Sequence, residues 1–227
     1  PGAFDRAVHA IRICISKGIR VQLNITVITP DPQELDRVVA LGRDLGVRDF
    51  QVFIPVPTGR SRQETDERYQ RYEALVRHIL TSWTGTGISL RPTCFPQFRR
   101  IADEMGIVNP GWGRGCIAGI SYCRIYPNGD VTPCPYLPAI AGNLRKTPFA
   151  DLWAESPVFS ALRDPDRLLG KCGECGYKAV CGGCRARAFS RYGEMARSCG
   201  GLVHPGDIDG ELCGEDPVCP YLPGGEA

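Results

Sequence analysis

The segment KCGECGYKAVCGGC, from Lys171 to Cys184, contains four cysteines, and a pair of glycines separates the last two. The spacing is Cys172-x2-Cys175-x5-Cys181-x2-Cys184. Two neighbouring CxxC units without a nearby histidine strongly indicate a metal site, because four thiolates can hold either a zinc ion or an iron–sulfur cluster. Glycines beside the thiols let the backbone approach the metal closely. The spacing alone does not choose between zinc and iron.

Cysteines elsewhere in the chain complete two possible sites of four thiolates. The chain has 12 cysteines, an unusual number for a cytosolic protein, in which structural disulfides are rare. Cys116, Cys123, Cys134 and Cys219 bring the metal-site candidates to eight. Two zinc ions or two iron–sulfur clusters would fit that number. A secreted disulfide protein is the remaining alternative.

Composition limits the classes of protein that the chain can belong to. With 227 residues, of which 43% are hydrophobic, it can bury a sizeable core. The net charge of +2 gives no sign of a nucleic-acid-binding surface. No apolar run reaches the roughly 20 residues that span a bilayer, and the first ten residues do not form a signal peptide. We therefore expect a cytoplasmic protein without membrane or nucleic-acid partners, and the absence of an initiator methionine suggests residues upstream.

Residues 1–92 alternate between helical and strand periodicity. This pattern predicts a parallel α/β sheet with right-handed crossovers, and about three strands suggest half of a larger barrel. Gly18 and Gly46 are expected to end the first two helices, and Asp31 to cap the second. The predicted elements are a helix through Phe4–Ile15, a strand 19–27, a helix 31–46, a strand 49–57, a helix 66–83 and a strand 88–90.

Residues 93–227 are rich in Gly, Pro and Cys and show little periodicity. Such a segment cannot order itself cheaply, because each fixed residue costs about 1–2 kcal/mol of backbone entropy. A bound metal is expected to supply the free energy that offsets this entropy cost. The only regular structure predicted here is a short helix over Phe149–Phe159 and a tight hairpin over Gly129–Cys134. We take 1–92 and 93–227 as two domains.

Several runs of this second region resemble the SPASM domain of radical S-adenosylmethionine (SAM) enzymes. Within that superfamily the chain is most similar to the branch that remodels haem precursors, namely haem d1 biosynthesis proteins, didecarboxysirohaem deacetylase and alternative haem synthases. The PGAFDRAV, NITV and VFIPVPTGR segments resemble the second half of the superfamily's partial (β/α) barrel. The runs that carry the SPASM resemblance are GCIAGISYCRIYPNGDVTPCPYLP, AGNLR, PFADLW, SPVF, CGECGYKAVCGGCRARA and EDPVCPY.

The resemblance implies how the eight cysteines divide between two auxiliary [4Fe–4S] clusters. One cluster would be held by Cys116, Cys123, Cys134 and Cys184. The other would be held by Cys172, Cys175, Cys181 and Cys219. The segment between Gly193 and Glu215 is longer than in most relatives and carries Cys199 and Cys213, either of which could replace Cys219. Some relatives have an auxiliary cluster with fewer than four cysteines.

The resemblance also implies residues on the SAM side of the barrel. Asn24, Pro57, Thr58 and Gly59 would lie near SAM, and Cys94 is a candidate for hydrogen donation or coordination near the radical. The superfamily's CxxxCxxC triplet is absent, so we expect this chain to be the C-terminal part of a longer enzyme and inactive alone. The whole enzyme would split SAM to a 5′-deoxyadenosyl radical, with electrons from a donor such as ferredoxin or flavodoxin.

The substrate that the resemblance implies is a tetrapyrrole of haem or haem d1 biosynthesis. Arginines could hold its propionate carboxylates through paired hydrogen bonds. Two alternatives stay open: a SPASM enzyme that matures a ribosomal peptide or a tungsten-enzyme cofactor, and a zinc-stabilised binding module. Colour separates the last one, since [4Fe–4S] proteins are brown and zinc sites are colourless. The candidate arginines are Arg91, Arg99, Arg100, Arg114, Arg185 and Arg187.

Overall fold

The computed structural model describes residues 2–56, 66–189 and 212–224, with the backbone alone at 66–68. The chain divides into two compact units. One comprises residues 1–55 and 70–94, and the other comprises 56–69 and 95–227. None of the helices in these described ranges is both long and apolar enough to cross a membrane.

The first unit is built on a three-stranded parallel sheet. The strands lie in the order β1–β2–β3, with Leu23 of β1 opposite Phe50 of β2 and Phe50 opposite Leu90 of β3. A helix precedes each strand, which confirms the predicted α/β class with a parallel sheet. In chain order the elements are α1 (Ala3–Ser16), β1 (Gln22–Thr26), α2 (Pro32–Asp44), β2 (Asp49–Phe53), α3 (Asp66–Ser82) and β3 (Ser89–Thr93), and α3 belongs to this unit from residue 70 onward.

Local sequence signals fix the ends of these helices as predicted. The Asp31 carboxylate accepts a hydrogen bond from the Gln33 N–H at 2.9 Å, so it caps α2, and Pro32 occupies the first helical position. Gly18 and Gly46 follow α1 and α2 with φ of 71° and 93°, a conformation that glycine adopts without strain.

The first two elements differ from their predictions in detail. The strand predicted over 19–27 begins only at Gln22, because the Ile19 N–H bonds to the Cys14 carbonyl and so belongs to the closing turn of α1. No residue of α1 is buried, although its apolar side chains share one face. The core of the unit lies between the sheet and the other two helices, with Val39, Val52 and Leu75 fully buried.

The second unit contains short elements and a small antiparallel sheet. Its strands are β4 (Arg124–Ile125), β5 (Asp130–Thr132) and β6 (Gly142–Asn143), in that order. Val131, Leu152 and Phe159 form an apolar cluster beside this sheet. The helices are α4 (Phe98–Glu104), α5 (Phe149–Glu155), α6 (Pro157–Arg163) and α7 (Gly170–Glu174), with one 3-10 turn at Pro165–Arg167.

The helices of this unit depart from the sequence prediction. The single helix predicted over Phe149–Phe159 is wrong: α5 ends before Ser156, and α6 starts at Pro157. The cause is Pro157, which disfavours helical backbone at the preceding residue, so Ser156 has ψ of 125°. Helix α4 was not predicted, since its seven residues give too few turns for a periodic signal.

Candidate metal centre

Four of the predicted cysteine ligands line one cavity. They are Cys172, Cys175, Cys181 and Cys219, and the cavity is flanked by the side chains of Arg100 and two lysines. Helix α7 carries Cys172, and the turns that follow it carry the next two thiols. Cys219 comes from the far end of the chain. Cys213, the alternative to Cys219, is buried but is not among the residues that line this cavity.

Backbone N–H groups point at the cysteine sulfurs in a repeated pattern. A sulfur that accepts the N–H two residues later is held in a tight turn, and the N–H dipole stabilises the negative charge of a thiolate while other lone pairs remain for metal. Cys172 differs, because its sulfur accepts the Asp216 N–H at 3.3 Å and so ties α7 to a distant segment. The two-residue pairs are Cys134 with Tyr136 (3.5 Å), Cys175 with Tyr177 (3.4 Å), Cys181 with Gly183 and Cys219 with Tyr221.

Three members of the other predicted set lie close to one another. Cys134 interacts electrostatically with both Cys116 and Cys184, and Cys184 does so with Cys116. The fourth, Cys123, packs against the apolar cluster of the antiparallel sheet. The two sets are adjacent through the backbone, since the Cys116 N–H bonds to the Cys181 carbonyl at 3.1 Å.

The predicted hairpin is present but shifted: its turn closes between Tyr126 and Asp130, and Asp130–Thr132, predicted within the turn, form β5 before Cys134. Gly129 has φ of 93°, and the Tyr126 N–H bonds to the Asp130 carbonyl at 2.8 Å, which closes the turn. The hydroxyl of Thr132 at the end of β5 then donates to the Cys134 carbonyl at 3.2 Å. The thiol therefore follows directly from a strand that is anchored on both edges.

The glycine pair between Cys181 and Cys184 has positive φ angles and lies beside two guanidinium groups. Gly182 and Gly183 have φ of 73° and 59°, so side chains there would be strained. A Cβ on Gly182 would lie 2.7 Å from Nη2 of Arg114, and one on Gly183 would lie 2.6 Å from Nη2 of Arg185. The motif CGGC thus places one arginine against each glycine.

Burial suppresses ionisation of several of these thiols. It raises the pKa of Cys134 and of Cys181 to about 12, and that of Cys219 to about 11. Burial also raises the pKa of Cys184. Without metal these thiols keep their protons at neutral pH, and a metal must displace the protons when it binds.

Four thiols around one cavity fit the ligand set of a cluster. Within the described ranges, no three His, Cys, Asp or Glu side chains converge as they would on one metal ion. In a cubane cluster each iron takes one cysteine, so the four sulfurs surround a larger object and stand further apart. Thiols that share a cavity without converging on one point match that requirement.

A buried ion pair joins the segments that carry the two cysteine sets. Arg187 and Asp216 are 3.1 Å apart and their side chains are fully buried. The Asp216 carboxylate also accepts the Cys184 N–H at 2.7 Å and the Gln97 amide at 2.8 Å. Burial alone would raise the pKa of Asp216, but the guanidinium and these hydrogen bonds lower it. Its own N–H donates to Cys172, so Asp216 contacts one member of each set.

The candidate arginines for propionate binding are mostly committed elsewhere, which corrects part of that prediction. Arg187 pairs with Asp216, and Arg100 pairs with Glu104 at 2.6 Å. Arg185 is buried and donates to two backbone carbonyls. Arg114 is half-buried, and desolvation lowers its pKa. Arg91 and Arg99 remain as candidates.

The structure describes only some of the residues predicted near SAM. Asn24 is exposed on β1, on the face opposite Leu23 and Ile25, and its amide oxygen accepts from Gln22 at 2.7 Å. Cys94 follows β3 and has a φ of 62°. Among the described residues, every other residue with a positive φ is a glycine. Their roles toward SAM stay predictions. Pro57, Thr58, Gly59 and Cys199 lie outside the described residues.

Sequence reasoning missed the polar network around the thiols. Nothing in the spacing of the cysteines distinguishes Asp216 or Gln97 from ordinary surface residues. The available signal was the position of Asp216 three residues before Cys219, inside a run that resembles the SPASM pattern.

Comparison with known proteins agrees with the geometry. The SPASM family model, described as an iron–sulfur cluster-binding domain, matches residues 116–176. The chain is 34% identical to the AdoMet-dependent heme synthase of Methanosarcina barkeri, over 99% of this chain and 62% of that protein. It is 28% identical to the pre-heme d1 synthase of Dinoroseobacter shibae, over 99% of this chain and 57% of that protein. The chain thus spans less than two thirds of the length of either relative.

A solved structure supports the fold. The crystal structure of Streptococcus suis SuiB bound to S-adenosylmethionine superposes with a TM-score of 0.62 at 17% identity. The match covers 96% of this chain and 49% of SuiB. At this identity the likeness shows the fold alone.

Proposed function

We propose that this chain, which matches the SPASM family model and is similar to an AdoMet-dependent heme synthase, holds two auxiliary [4Fe–4S] clusters of a radical SAM enzyme that modifies a tetrapyrrole. We further propose residues 1–92 as the second half of the partial barrel and 93–227 as the SPASM region. Bound clusters would supply centres for electron transfer or for anchoring the substrate.

The observation that carries this proposal is the cavity lined by Cys172, Cys175, Cys181 and Cys219. Its thiols are separated in sequence, yet the fold brings them together with N–H groups already directed at their sulfurs. Cys116, Cys123, Cys134 and Cys184 would hold the other cluster. Of these four, Cys116 and Cys184 lie near Cys134.

The protein's own residues would prepare these sites for metal. Burial keeps the thiols protonated in the metal-free chain, so assembly of the clusters must release protons. The backbone N–H groups that point at sulfur then stabilise the thiolate form. The Gln97–Arg187–Asp216 network fixes the segments on which Cys184 and Cys172 lie.

Metal and sulfide analysis of the chain, purified without oxygen, tests the cluster proposal. We expect about eight iron and eight labile sulfides per chain. We also expect Cys181→Ala to lose iron, whereas Cys14→Ala, a matched loss of a thiol from α1, retains all of it. Two zinc ions without sulfide would overturn the proposal and leave a structural metal domain.

Tetrapyrrole recognition needs a separate test, because it is supported by the names of relatives rather than by a described pocket. Titration of the cluster-loaded chain with haem, the product named for one relative, should shift the Soret band in a saturable manner. Absence of saturable binding by both this chain and a longer form that includes any upstream region would remove the tetrapyrrole from the proposal. A peptide substrate would then be the alternative.

A further inference from the structure

Arg185 is a buried cation that contacts a cysteine sulfur. Its residue is 3% exposed. One terminal nitrogen donates to the carbonyls of Leu212 and Gly214, at 3.1 and 2.6 Å, and the other lies 3.8 Å from Sγ of Cys172. Its Nε is buried without a hydrogen-bond partner. Among the residues that the structure describes, no carboxylate forms an ion pair with Arg185.

Arg114 occupies a corresponding place between the two cysteine sets. Its Nη2 lies beside Gly182, the residue after Cys181, 2.7 Å from where a Cβ would be, and its guanidinium interacts electrostatically with Cys116 and Cys181. It donates to the carbonyls of Leu162 and Lys178, at 3.3 and 3.4 Å, and its Nε is also buried without a partner. In the described ranges it too has no ion pair with a carboxylate.

The neighbouring Arg187 shows what these two arginines lack. Arg187 is as deeply buried as Arg185, but it is neutralised by Asp216. A buried charge without a counter-charge is strongly unfavourable. Carbonyl dipoles satisfy some donors of Arg114 and Arg185 but bring no negative charge. Arg185 also opposes the charge of Arg114, so the need for negative charge nearby is shared. The groups near both arginines that can supply it are cysteine sulfurs, which become anionic when they bind metal.

We propose that Arg114 and Arg185 are the counter-charges of the cluster thiolates and that they raise the reduction potential of the cluster held by Cys172, Cys175, Cys181 and Cys219. The proposal deepens the proposed function and rests on it, since the cluster must be present. Reduction adds one electron to an already anionic site, and a cation a few ångströms away stabilises the added charge. These arginines are therefore positioning and tuning residues rather than catalytic ones.

The test compares charge-removing and charge-keeping variants of the full chain with clusters loaded. Arg185→Met and Arg114→Met remove the charge, and Arg185→Lys and Arg114→Lys retain it. Arg145→Met is the control, because Arg145 also donates to backbone carbonyls, at Asn128 and Pro127, but is exposed. Iron and sulfide are measured first, and the midpoint potential is then read from an EPR-monitored redox titration.

We expect each methionine variant to favour the oxidised cluster about tenfold more than the unchanged chain, which is about 59 mV for one electron. The lysine variants should lie closer to the unchanged chain, and Arg145→Met should match it. Full iron content with unchanged potentials in both methionine variants would overturn this inference while leaving the cluster proposal intact. Absence of iron and sulfide from the unchanged chain would instead overturn the cluster proposal.

Loss of clusters in the methionine variants also decides the question. If the lysine variants still load fully, a requirement for positive charge is supported. If the lysine variants lose iron as completely as the methionine variants, a packing role accounts for the loss and the inference is wrong.

Discussion

The two units of the chain are stabilised in different ways. In the first, the fully buried side chains are mainly aliphatic or aromatic, such as Val39, Val47 and Phe50. In the second, the fully buried side chains include the ion pair of Arg187 with Asp216, and buried thiols lie nearby. Apolar burial can support folding without help, whereas buried charges and thiols cost free energy unless they are paired or bound to metal. The first unit should therefore be independent of metal, and the second should depend on it.

Helix length points the same way. The helices α1 to α3 have 13 to 17 residues, but α4 to α7 have only five to seven. Helices this short are not stable on their own in water and need tertiary contacts. In the second unit α5 and α6 bury Leu152 and Phe159 in the apolar cluster, whereas α7 carries Cys172 and would be held by the metal.

Metal removal should produce the largest effect and the sharpest contrast between the units. Treating the anaerobic chain with an oxidant and a chelator removes the clusters, and the coupling of metal binding to folding then predicts broad loss of structure in residues 95–189. The backbone amides of residues 22–53 and 70–93 should stay protected from hydrogen exchange. Hydrogen exchange followed by mass spectrometry measures both ranges in one sample, and equal loss in both would contradict the contrast.

Replacing Asp216 with Ala should be the most damaging single substitution in the second unit. It leaves Arg187 buried without a counter-charge and frees the Cys184 N–H, at an expected cost of about 3–5 kcal/mol in the free energy of unfolding. Denaturant unfolding of the cluster-loaded chain measures this cost. Asp166→Ala is the matched control: its ion pair with Lys178 is exposed and should contribute at most about 1 kcal/mol.

A core truncation in the first unit should affect stability without affecting metal. Leu75 of α3 is fully buried, so Leu75→Ala should lower the free energy of unfolding by about 2–5 kcal/mol. Iron content per folded chain should not change. A parallel loss of iron would show that the two units are not independent in this respect.

The smallest of these effects is expected at the glycine pair. Gly183→Ala imposes a side chain at φ of 59° and brings its Cβ within 3.2 Å of the Cys172 sulfur, for an expected loss of about 1–3 kcal/mol. Gly176→Ala is the control, because nothing lies within 4 Å of a Cβ there. Thermal unfolding of the cluster-loaded chain compares the two variants. Equal unfolding temperatures for Gly183→Ala and Gly176→Ala would contradict the need for glycine at position 183.

The fold of the first unit was largely predictable from sequence because its signals are local. A capping aspartate at position 31, glycines at 18 and 46 and the alternation through Leu23 and Ile25 each depend on residues that are close in the chain. The start of β1 was predicted too early, because hydrophobic alternation does not register the hydrogen bond that keeps Ile19 in the turn after α1.

The second unit was predictable only in its thiols and its hairpin. Cysteine spacing and the glycine at position 129 carry their own signals, although the turn lies a few residues before the predicted one. The contacts that organise the site are nonlocal: Gln97 bonds to Asp216 across 119 positions, and Cys172 bonds to it across 44. No periodicity reveals such a pairing, nor could the sequence show that Arg185 and Arg187, two of the candidates for propionate binding, are buried.

The iron content of the Cys175→Ala/Cys219→Ala double variant tests the central claim that the cysteines divide into two sets of four. Cys213→Ala serves as the control for the loss of a buried thiol outside the cavity. The account predicts that the double variant falls from about eight to about four iron per chain and that the control keeps about eight. Undiminished iron in the double variant, or loss of half the iron in the control, would contradict the assignment.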